Sequence, residues 1–292
     1  MMLDFQPIGG VSLALGESPV WDDRRELVFL CDIPTGRLLA LRLGEGIVRE
    51  WVLGENVCSI GLCESGRLVV ALTREIILFD PDSGLSEPLA QLEGELETNR
   101  FNDGKVGPDG AFWVGTTDQR AQREAICSLY RIGADGRMLA KKTGLIISNG
   151  LAWSPDGRIM YHSDSGGRWI ERHDFDPATG AMGEELRIAE PSEVDGRPDG
   201  AAIDCDGNYW SAGVSAGCLN HYAPDGALIG KHPLPVPSPT MPCFCGPDLK
   251  TLLVTSHRYL SAEALERHPL AGSVLLAQSA VAGTPIHRMR GV

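Results

Sequence analysis

The feature that most limits how this chain can fold is an internal repeat. Six times along the sequence, a turn rich in Gly, Asp and Pro is followed by a short run of β-forming residues and then by a second such run. Each unit spans about 40 to 50 residues, a period typical of propeller blades with four antiparallel strands rather than of helical solenoids. Six units account for the 292 residues. The sequence therefore predicts an all-β fold, a six-bladed β-propeller that forms a single domain over residues 1–292.

The boundaries of the units can be read from their turns. The turns lie at residues 22–25, 64–66, 107–110, 154–157, 204–207 and 246–248. The runs that follow are short, apolar or alternating, and bounded by Gly, Asp, Asn and Pro, as half-buried strands are. Helical periodicity is nearly absent, and one helical turn is predicted at residues 261–267, with Ser261 as its N-cap.

Charge and hydrophobicity exclude several kinds of partner. The chain has 26 Lys and Arg against 39 Asp and Glu, a formal net charge of -13, which opposes binding to a phosphate backbone. We therefore expect no nucleic-acid partner. The N-terminus lacks the features of a secretory signal, and no run of 18 apolar residues occurs. We expect no membrane partner, a cytoplasmic protein, and eight cysteines that are mostly reduced and buried.

A polar residue recurs at one point of the repeat, four positions before an apolar residue that leads into a turn. The residues at this point are Glu17, Asn102, Asn149 and Asp199. The register breaks in the second unit, at Ser59, and in the sixth, at about Met241. Because the innermost strands of propeller blades line a central channel, equivalent positions on them converge. We expect the four polar side chains to meet at the channel mouth.

Three of these residues form a set of hard donors. Glu17 and Asp199 offer carboxylates and Asn149 an amide oxygen, which suit Ca²⁺, Mg²⁺ or Mn²⁺ and can bind Zn²⁺ when water completes the shell. Three protein ligands leave positions open for water or substrate, as catalytic metal sites do. The alternative is that Asn149-Gly150, Asp199-Gly200 and Asp103-Gly104 are ordinary turn dipeptides. Their shared register favours the metal site.

The segment 98–105 concentrates hydrogen-bonding side chains beside the predicted channel. Arg100 offers a fixed fork of donors, and Asn102 offers both a donor and an acceptor, so the two can hold the hydroxyls of a polyol. The alternative is a solvated loop in which Arg100 pairs with a nearby acid.

Four motifs, in this order, resemble the gluconolactonase group of sugar-acid lactone hydrolases, which includes regucalcin (senescence marker protein 30). They are GESPVW at 16–21, RFNDGK at 100–105, SNGLAWS at 148–154 and PDG at 198–200, and a closing segment at 239–249 supports them. The resemblance covers essentially the whole chain. It implies one divalent metal held by Glu17, Asn149 and Asp199, substrate contacts from Arg100 and Asn102, and Asp199 as the general base.

One stretch departs from that pattern. After Gly115-Thr116 some relatives carry Met and then an acidic residue that reaches the substrate, whereas this chain has Thr117-Asp118-Gln119-Arg120. The resemblance assigns Asp118 as a further substrate contact. Arg120 is an additional cation, which would suit a substrate with a second carboxylate.

Two functions compete on these grounds. The leading hypothesis is a metal-dependent hydrolase that opens a small sugar lactone (an aldonolactone), as a monomer or a weak homo-oligomer. Its alternative is a non-enzymatic calcium-binding or ligand-sensing propeller of the regucalcin type, since a fold does not fix a function. A protein-binding scaffold ranks third, because the mouth would carry a polar pocket and not an apolar patch.

Other motifs are weak or missing. Cys243 and Cys245 would lie on one face of a strand, but a zinc site needs more ligands. His257, near the end of the last β run, is either a channel residue or a packing residue. The patterns of serine hydrolases, P-loop NTPases and dinucleotide-binding enzymes do not occur.

Overall fold

The computed structural model describes residues 3–292, so Met1 and Met2 lie outside it, and it forms a ring of six antiparallel sheets. In chain order the strands are β1 (Gln6–Pro7); β2 (Gly16–Asp22), β3 (Leu27–Asp32), β4 (Arg37–Arg42) and β5 (Gly46–Val52), which form blade 1; β6 (Ser59–Cys63), β7 (Leu68–Ala71), β8 (Glu75–Phe79) and β9 (Ser86–Gln91), blade 2; β10 (Asn99–Val106), β11 (Phe112–Asp118), β12 (Cys127–Ile132) and β13 (Met138–Leu145), blade 3; β14 (Ser148–Trp153), β15 (Ile159–Asp164), β16 (Trp169–Asp176) and β17 (Ala181–Ala189), blade 4; β18 (Pro198–Ile203), β19 (Tyr209–Gly213), β20 (Cys218–Tyr222) and β21 (Leu228–Pro233), blade 5; β22 (Pro239–Cys245), β23 (Thr251–Ser256) and β24 (Leu275–Gln278), blade 6; and β25 (Arg288–Met289). The predicted six-bladed propeller is confirmed.

Burial decreases from the channel outward within each blade. The innermost strand β6 and its neighbour β7 are buried throughout, whereas most residues of the outer strands β9 and β17 are exposed. The core lies between blades, where the sheets pack face to face. Between blades 3 and 4, for example, the rings of Trp113, Trp153 and Phe175 pack edge to face. The alternating apolar runs of the sequence are therefore the surfaces that hold the ring together.

The ring closes through an exchange of strands that the sequence analysis did not predict. The N-terminal strand β1 pairs with β24, so blade 6 takes three strands from the end of the chain and one from its beginning. Phe5, just before β1, is buried in the core of blade 6. Opening the ring would break these hydrogen bonds and expose this apolar surface.

The last residues close one end of the channel. Residues 282–290 run across that end, because Ala282 accepts a backbone hydrogen bond from Cys205 in blade 5 (2.8 Å) and Met289 accepts one from Glu64 in blade 2 (2.9 Å). There β25 adds to the inner strand β6 in parallel. A cavity of about 50 Å³ remains between this segment and Lys105. We call this closed end the floor, and the opposite end, where the inner strands begin, the mouth.

Two smaller predictions, the helical turn and the burial of most cysteines, agree with the structure. The helix α1 (Ala262–Arg267) begins after Ser261, whose Oγ accepts a hydrogen bond from the Ala264 N–H at 3.2 Å. All eight cysteines are free thiols, and each is buried except Cys205. Within residues 3–292, no helix is long and apolar enough to cross a membrane.

Candidate metal centre and substrate pocket

The inner strands of five blades carry a one-residue bulge near the mouth. The shifts in pairing lie between Glu17 and Val20, Phe101 and Gly104, Asn149 and Ala152, Pro198 and Ala201, and Pro239 and Pro242. A bulge changes the direction in which a side chain points. The four recurrent polar residues lie within or directly beside bulges, whereas β6, which begins at Ser59, pairs with β7 without one. Of the two units in which the sequence repeat loses its register, the second lacks the bulge, whereas the sixth keeps it between Pro239 and Pro242.

The bulges also explain the glycines that follow the polar residues. Asn149-Gly150, Asp199-Gly200 and Asp103-Gly104 lie inside inner strands, so the interpretation as turn dipeptides is wrong. Gly150 has a φ of +68°, and a Cβ atom there would lie 2.3 Å from the Tyr209 hydroxyl. Only glycine combines this left-handed conformation with the missing side chain.

The two carboxyl groups of the predicted metal site influence each other across the channel. Burial raises the pKa of Glu17 well above its usual range, and the charges of Asp199 and Asp103 raise it further. Burial raises the pKa of Asp199 to about 7, again with a contribution from Asp103. These residues come from blades 1, 3 and 5, so the propeller brings together groups that are far apart in sequence.

Asn149 is held in one orientation by its neighbours. Its Nδ2 donates to Ser165 Oγ at 2.7 Å, and Ser165 Oγ donates in turn to the carbonyl of Pro198, beside Asp199. Asn149 Oδ1 accepts a hydrogen bond from Asn102 Nδ2 at 3.0 Å. These contacts tie blades 3, 4 and 5 together beside Asp199.

This donor set fits a divalent cation. Among residues 3–292, neither Glu17 nor Asp199 has a cationic side chain within the 4.0 Å of an ion pair. The charges of Arg100 and Arg197 offset the repulsion between these half-buried carboxyl groups only in part, since both pKa values stay raised, and a bound dication would supply further positive charge. Oxygen donors from two carboxylates and an amide match the preference of Ca²⁺, Mg²⁺ and Mn²⁺.

Asp103 and Lys105 lie deeper in the channel than the predicted ligands. Asp103 Oδ2 accepts a hydrogen bond from the Leu151 N–H at 3.2 Å, while its buried Oδ1 has no partner in the described structure. Lys105 Nζ donates to the Ala201 carbonyl at 2.7 Å. Burial raises the pKa of Asp103 and lowers that of Lys105, and the opposite charge of the partner works against each shift. The sequence did not predict that this pair lies in the channel, although both residues belong to the same inner strand as Asn102.

Arg100 and Asn102 lie together at the mouth. Arg100 Nη1 donates to Asn102 Oδ1 at 3.0 Å and to the carbonyl of Phe101 at 2.6 Å. Within the described residues Arg100 makes no ion pair with an acid, contrary to the solvated-loop alternative. Both side chains are partly accessible, as groups that contact a ligand must be.

Asp118 is fully buried and its carboxylate already has partners. Arg120 Nε donates to both of its oxygens at 3.0 Å, and the N–H of Glu124 donates to Oδ2 at 3.2 Å. Arg120 also pairs with Glu124 at 3.0 Å, so it is not an unpaired cation for a second substrate carboxylate. The substrate contact of Asp118 stays a prediction, and the same carboxylate fastens the loop 119–124.

Asp118 has counterparts in other blades. Asp32 and Asp164 end the second strands of blades 1 and 4, as Asp118 does in blade 3. Asp32 accepts a backbone hydrogen bond from Leu15 at 2.9 Å, and Asp164 accepts one from Ile147 at 3.0 Å. A buried Asp at this point of the repeat therefore anchors a loop at the mouth.

A second acidic cluster lies away from the channel, on the outer strands of blade 4. Glu171, His173 and Glu185 have potential ligand atoms within 4.8 Å of one another. However, Lys142 Nζ lies 2.9 Å from Glu171 and 2.6 Å from Glu185, so an ammonium group already neutralises these acids. Although burial opposes it, hydrogen bonds from His162 and His173 hold the pKa of Glu171 well below its usual range. This cluster is an ion-pair network and not a metal site.

The same network contains a series of contacts like that of a serine hydrolase. Ser148 Oγ lies 2.8 Å from His162 Nε2, and His162 Nδ1 lies 3.2 Å from Glu171 Oε1. Ser148 and His162 are both 0% exposed, and Gly115 packs directly on the Ser148 hydroxyl. No substrate can reach this serine, so the series fixes the strand that carries Asn149.

His257 lies at the mouth. It forms a bridge with Leu15 beside β2, and its N–H donates to the carbonyl of Ser238 beside β22. Its Nδ1 accepts a hydrogen bond from the N–H of Tyr259 at 3.2 Å. Burial lowers the pKa of His257, and the positive charge of Arg197 lowers it further. The sequence pattern left two places open for His257 and gave no signal for Arg197 or Tyr259.

Comparison with known proteins finds a matching family model and several relatives of this chain. A family model described as SMP-30/Gluconolactonase/LRE-like region matches residues 15–258. The chain is 40% identical to 6-deoxy-6-sulfogluconolactonase of Pseudomonas putida over 271 residues, 92% of either chain. It is 32% identical to L-arabinolactonase of Azospirillum brasilense over an alignment of 302 residues, 99% of either chain.

A solved structure extends the comparison to three dimensions. The calcium-binding protein regucalcin from Agrobacterium tumefaciens str. C58 superimposes with a TM-score of 0.93 at 27% sequence identity. The match covers 99% of this chain and 98% of that chain. The arrangement of all six blades is therefore similar in the two proteins.

Proposed function

This chain belongs to the SMP-30/gluconolactonase/LRE-like family, and on that premise we propose that it is a metal-dependent enzyme that hydrolyses a sugar-acid lactone. Two relatives that match over nearly the full length are named as lactonases. The proposed substrate is a small aldonolactone, and the proposed cofactor is one divalent cation.

One observation carries the proposal: Glu17, Asn149 and Asp199 lie on bulged inner strands at the open end of a channel that is closed at the other end, and the charge of Asp199 raises the pKa of Glu17. Glu17, Asn149 and Asp199 are the proposed ligands, and within residues 3–292 no cationic side chain forms an ion pair with the carboxyl groups of Glu17 and Asp199. When bound, the cation polarises the lactone carbonyl and favours deprotonation of water.

The side chains around the ligands provide binding and orientation. Arg100 donates hydrogen bonds to the hydroxyls of the sugar. Asn102 accepts one at Oδ1, because its Nδ2 already donates to the Ser148 carbonyl at 2.9 Å and to Asn149 Oδ1 at 3.0 Å. Asn102 also donates to Asn149, so the substrate pocket and the metal ligands share one residue. A sugar held there has its carbonyl next to Asp199, which reduces the entropy lost in reaching the transition state.

Asp199 serves as the general base. In the metal-free protein burial raises the pKa of Asp199 to about 7, and a cation bound beside it would hold the carboxyl group in the ionised form that can accept a proton. It takes a proton from the attacking water while the water oxygen bonds to the carbonyl carbon. The bond from that carbon to the ring oxygen then breaks, the ring oxygen leaves as a hydroxyl with the transferred proton, and the product is a hydroxy acid.

The test is hydrolysis of a panel of pentono- and hexonolactones, followed by the acid released. The protein is stripped with a chelator and refilled with Ca²⁺, Zn²⁺, Mn²⁺ or Mg²⁺, one at a time. We expect at least one lactone to be hydrolysed, with activity lost in chelator and restored by a cation. Asp199→Asn at saturating metal should lower kcat by about 10² to 10⁴.

Asp206→Asn is the matched control, because Asp206 is an exposed acid of the same blade in a turn at the floor end. It should retain wild-type activity. Near-normal activity of Asp199→Asn would remove the general base. A protein that binds the cation but hydrolyses no lactone would favour the non-enzymatic alternative.

A further inference from the structure

One guanidinium group at the mouth has neither a hydrogen-bond partner nor an ion-pair partner within residues 3–292. Arg197 lies two residues before Asp199, directly before β18. Its main chain is fixed, since its N–H donates to Ser215 Oγ and its carbonyl accepts from the Val214 N–H, both at 3.1 Å. Its guanidinium makes no hydrogen bond or ion pair with any residue from 3 to 292, although the side chain is half-buried.

This lack of a partner sets Arg197 apart from the other cations at the same end of the blades. Arg120 pairs with two acids, Lys231 with Asp195 at 2.8 Å and Arg168 with Glu193 at 3.5 Å. In the part of the chain that the structure describes, three other basic side chains lack partners, and all belong to hairpin turns at the floor end: Arg137, Arg158 and Lys250.

Arg197 acts on the site itself. Its positive charge lowers the pKa of Asp199, and Arg100 does the same from blade 3. A dication on Glu17 and Asp199 would neutralise both carboxylates, and Asp103 and Lys105 already balance each other. The two guanidinium groups of Arg100 and Arg197 would then remain as net positive charge in the pocket. With that dication bound, a protein of net charge -13 would present a cationic pocket at its mouth.

A neutral sugar lactone does not make use of this second cation. Its hydroxyls are satisfied by neutral partners, whereas a half-buried guanidinium is destabilising unless an anion compensates it. The planar fork of Arg matches the oxygens of a sulfonate, carboxylate or phosphate. The ring of Tyr259, 57% exposed, lies 5.9 Å from that of His257, and it can pack on the apolar side of a sugar.

We propose that the substrate is an aldonolactone with a second, anionic group at the end of the sugar remote from the lactone carbonyl, and that Arg197 binds this group. The inference rests on the proposed lactonase function. The relative at 40% identity, named for a lactone with a sulfonate at carbon 6, agrees with it. Sulfonate, carboxylate and phosphate share the chemistry that Arg197 recognises, so the experiment must separate them.

The test compares matched hexonolactones that differ only at carbon 6: hydroxyl, sulfonate, carboxylate and phosphate. With the metal-loaded protein, we expect kcat/KM for at least one anionic lactone to exceed that for the neutral one by about tenfold or more. Arg197→Gln should lower this anionic-to-neutral ratio by about 10- to 100-fold. The advantage should also shrink as salt is added.

Arg258→Gln is the control, because Arg258 is an exposed cation of the same loop end whose Nη1 contacts Ser12 Oγ at 3.2 Å. It should keep the wild-type ratio. The inference is overturned if the neutral lactone is hydrolysed as well as every anionic one, or if Arg197→Gln lowers all four equally. Either result would leave the lactonase function standing. If the protein hydrolyses neither these four hexonolactones nor any pentonolactone, the lactonase function itself is removed.

Discussion

At the scale of single residues, the channel brings together three acids, the buried Asp103 and the half-buried Glu17 and Asp199. Holding these carboxylates ionised and close together without a cation costs free energy, as the raised pKa of each shows. Lys105 offsets Asp103 alone. Binding of a dication is therefore coupled both to protons and to stability.

The metal-free protein should lose stability as pH rises. The pKa of Asp199 is about 7 when folded and near 3.8 when unfolded, so the folded state retains a proton that the unfolded state has released. This contribution is fully present below about pH 4 and is lost as pH rises through about 7. Urea unfolding in chelator should give a smaller decrease in the free energy of unfolding from pH 5 to pH 8 for Asp199→Asn than for wild type.

Excess dication should reverse that trend, because the ligands must be deprotonated to bind it. Identical pH profiles of wild type and Asp199→Asn in chelator would contradict the raised pKa.

Replacing Asp118 should separate its two assignments. Asp118→Asn weakens the contacts to Arg120 and to the Glu124 N–H, so we expect a loss of about 1 to 3 kcal/mol in the free energy of unfolding. Asp164→Asn, at the same point of blade 4, should be similarly destabilised with KM unchanged. A rise in KM for Asp118→Asn alone would confirm the substrate contact expected from the sequence. Wild-type stability of Asp118→Asn would remove its anchoring role.

At the scale of elements, the bulged inner strand is the unit that builds the site. The sequence predicted the strands, because alternating apolar residues and turn glycines report local structure and burial directly. It also predicted a common position for Glu17, Asn149 and Asp199. It could not predict the bulges, because an extra residue in a strand changes pairing with its neighbour and leaves the local apolar pattern intact.

Contacts between blades were the other part that escaped prediction. The place of Asp103 and Lys105 in the channel and the loop anchoring by Asp118 depend on neighbours 40 or more residues away or on the path of a loop. Asp103-Gly104 was open to interpretation as a turn because the same dipeptide serves both structures. The position of the dipeptide within the repeat was the signal that distinguished a bulged inner strand from a turn.

The bulge in β14 should tolerate no side chain at residue 150. Gly150→Ala combines a left-handed conformation with overlap against Tyr209 and Ser163, so we expect a loss of about 2 to 5 kcal/mol in the free energy of unfolding. Gly144→Ala is the control, with a φ of +77° but no atom within 4 Å of the added Cβ. It should lose only about 1 to 2 kcal/mol. Equal losses would mean that backbone strain, and not the close contacts, sets the requirement.

At the scale of the whole molecule, both ends of the chain hold the ring. The sequence predicted six blades but neither the pairing of β1 with β24 nor the closing segment 282–290, since both depend on which distant edge is left unpaired. The terminal residues gave no strong β pattern by which to find them.

Ending the chain at residue 283 should separate stability from activity. The truncation removes the buried Met289 and leaves Asp22, 0% exposed, without its 2.8 Å contact to Arg288, so we expect a loss of about 3 kcal/mol or more in the free energy of unfolding. The predicted metal ligands lie at the other end, so kcat below the new melting temperature should change by less than about threefold. Removing only residues 291 and 292 is the control and should change neither quantity strongly. Loss of activity with the fold intact would show that the segment shapes the pocket.

Because residues 282–290 cross the floor, substrate enters the channel and product leaves it through the mouth. Reactant and product must use one passage in turn, and the departing acid carries a new negative charge past Arg100 and Arg197. Late in a reaction, accumulated acid therefore competes with the lactone for the pocket at the mouth. Turnover should slow well before the lactone is consumed, and the slowing should be relieved when the acid is withdrawn by a following enzyme.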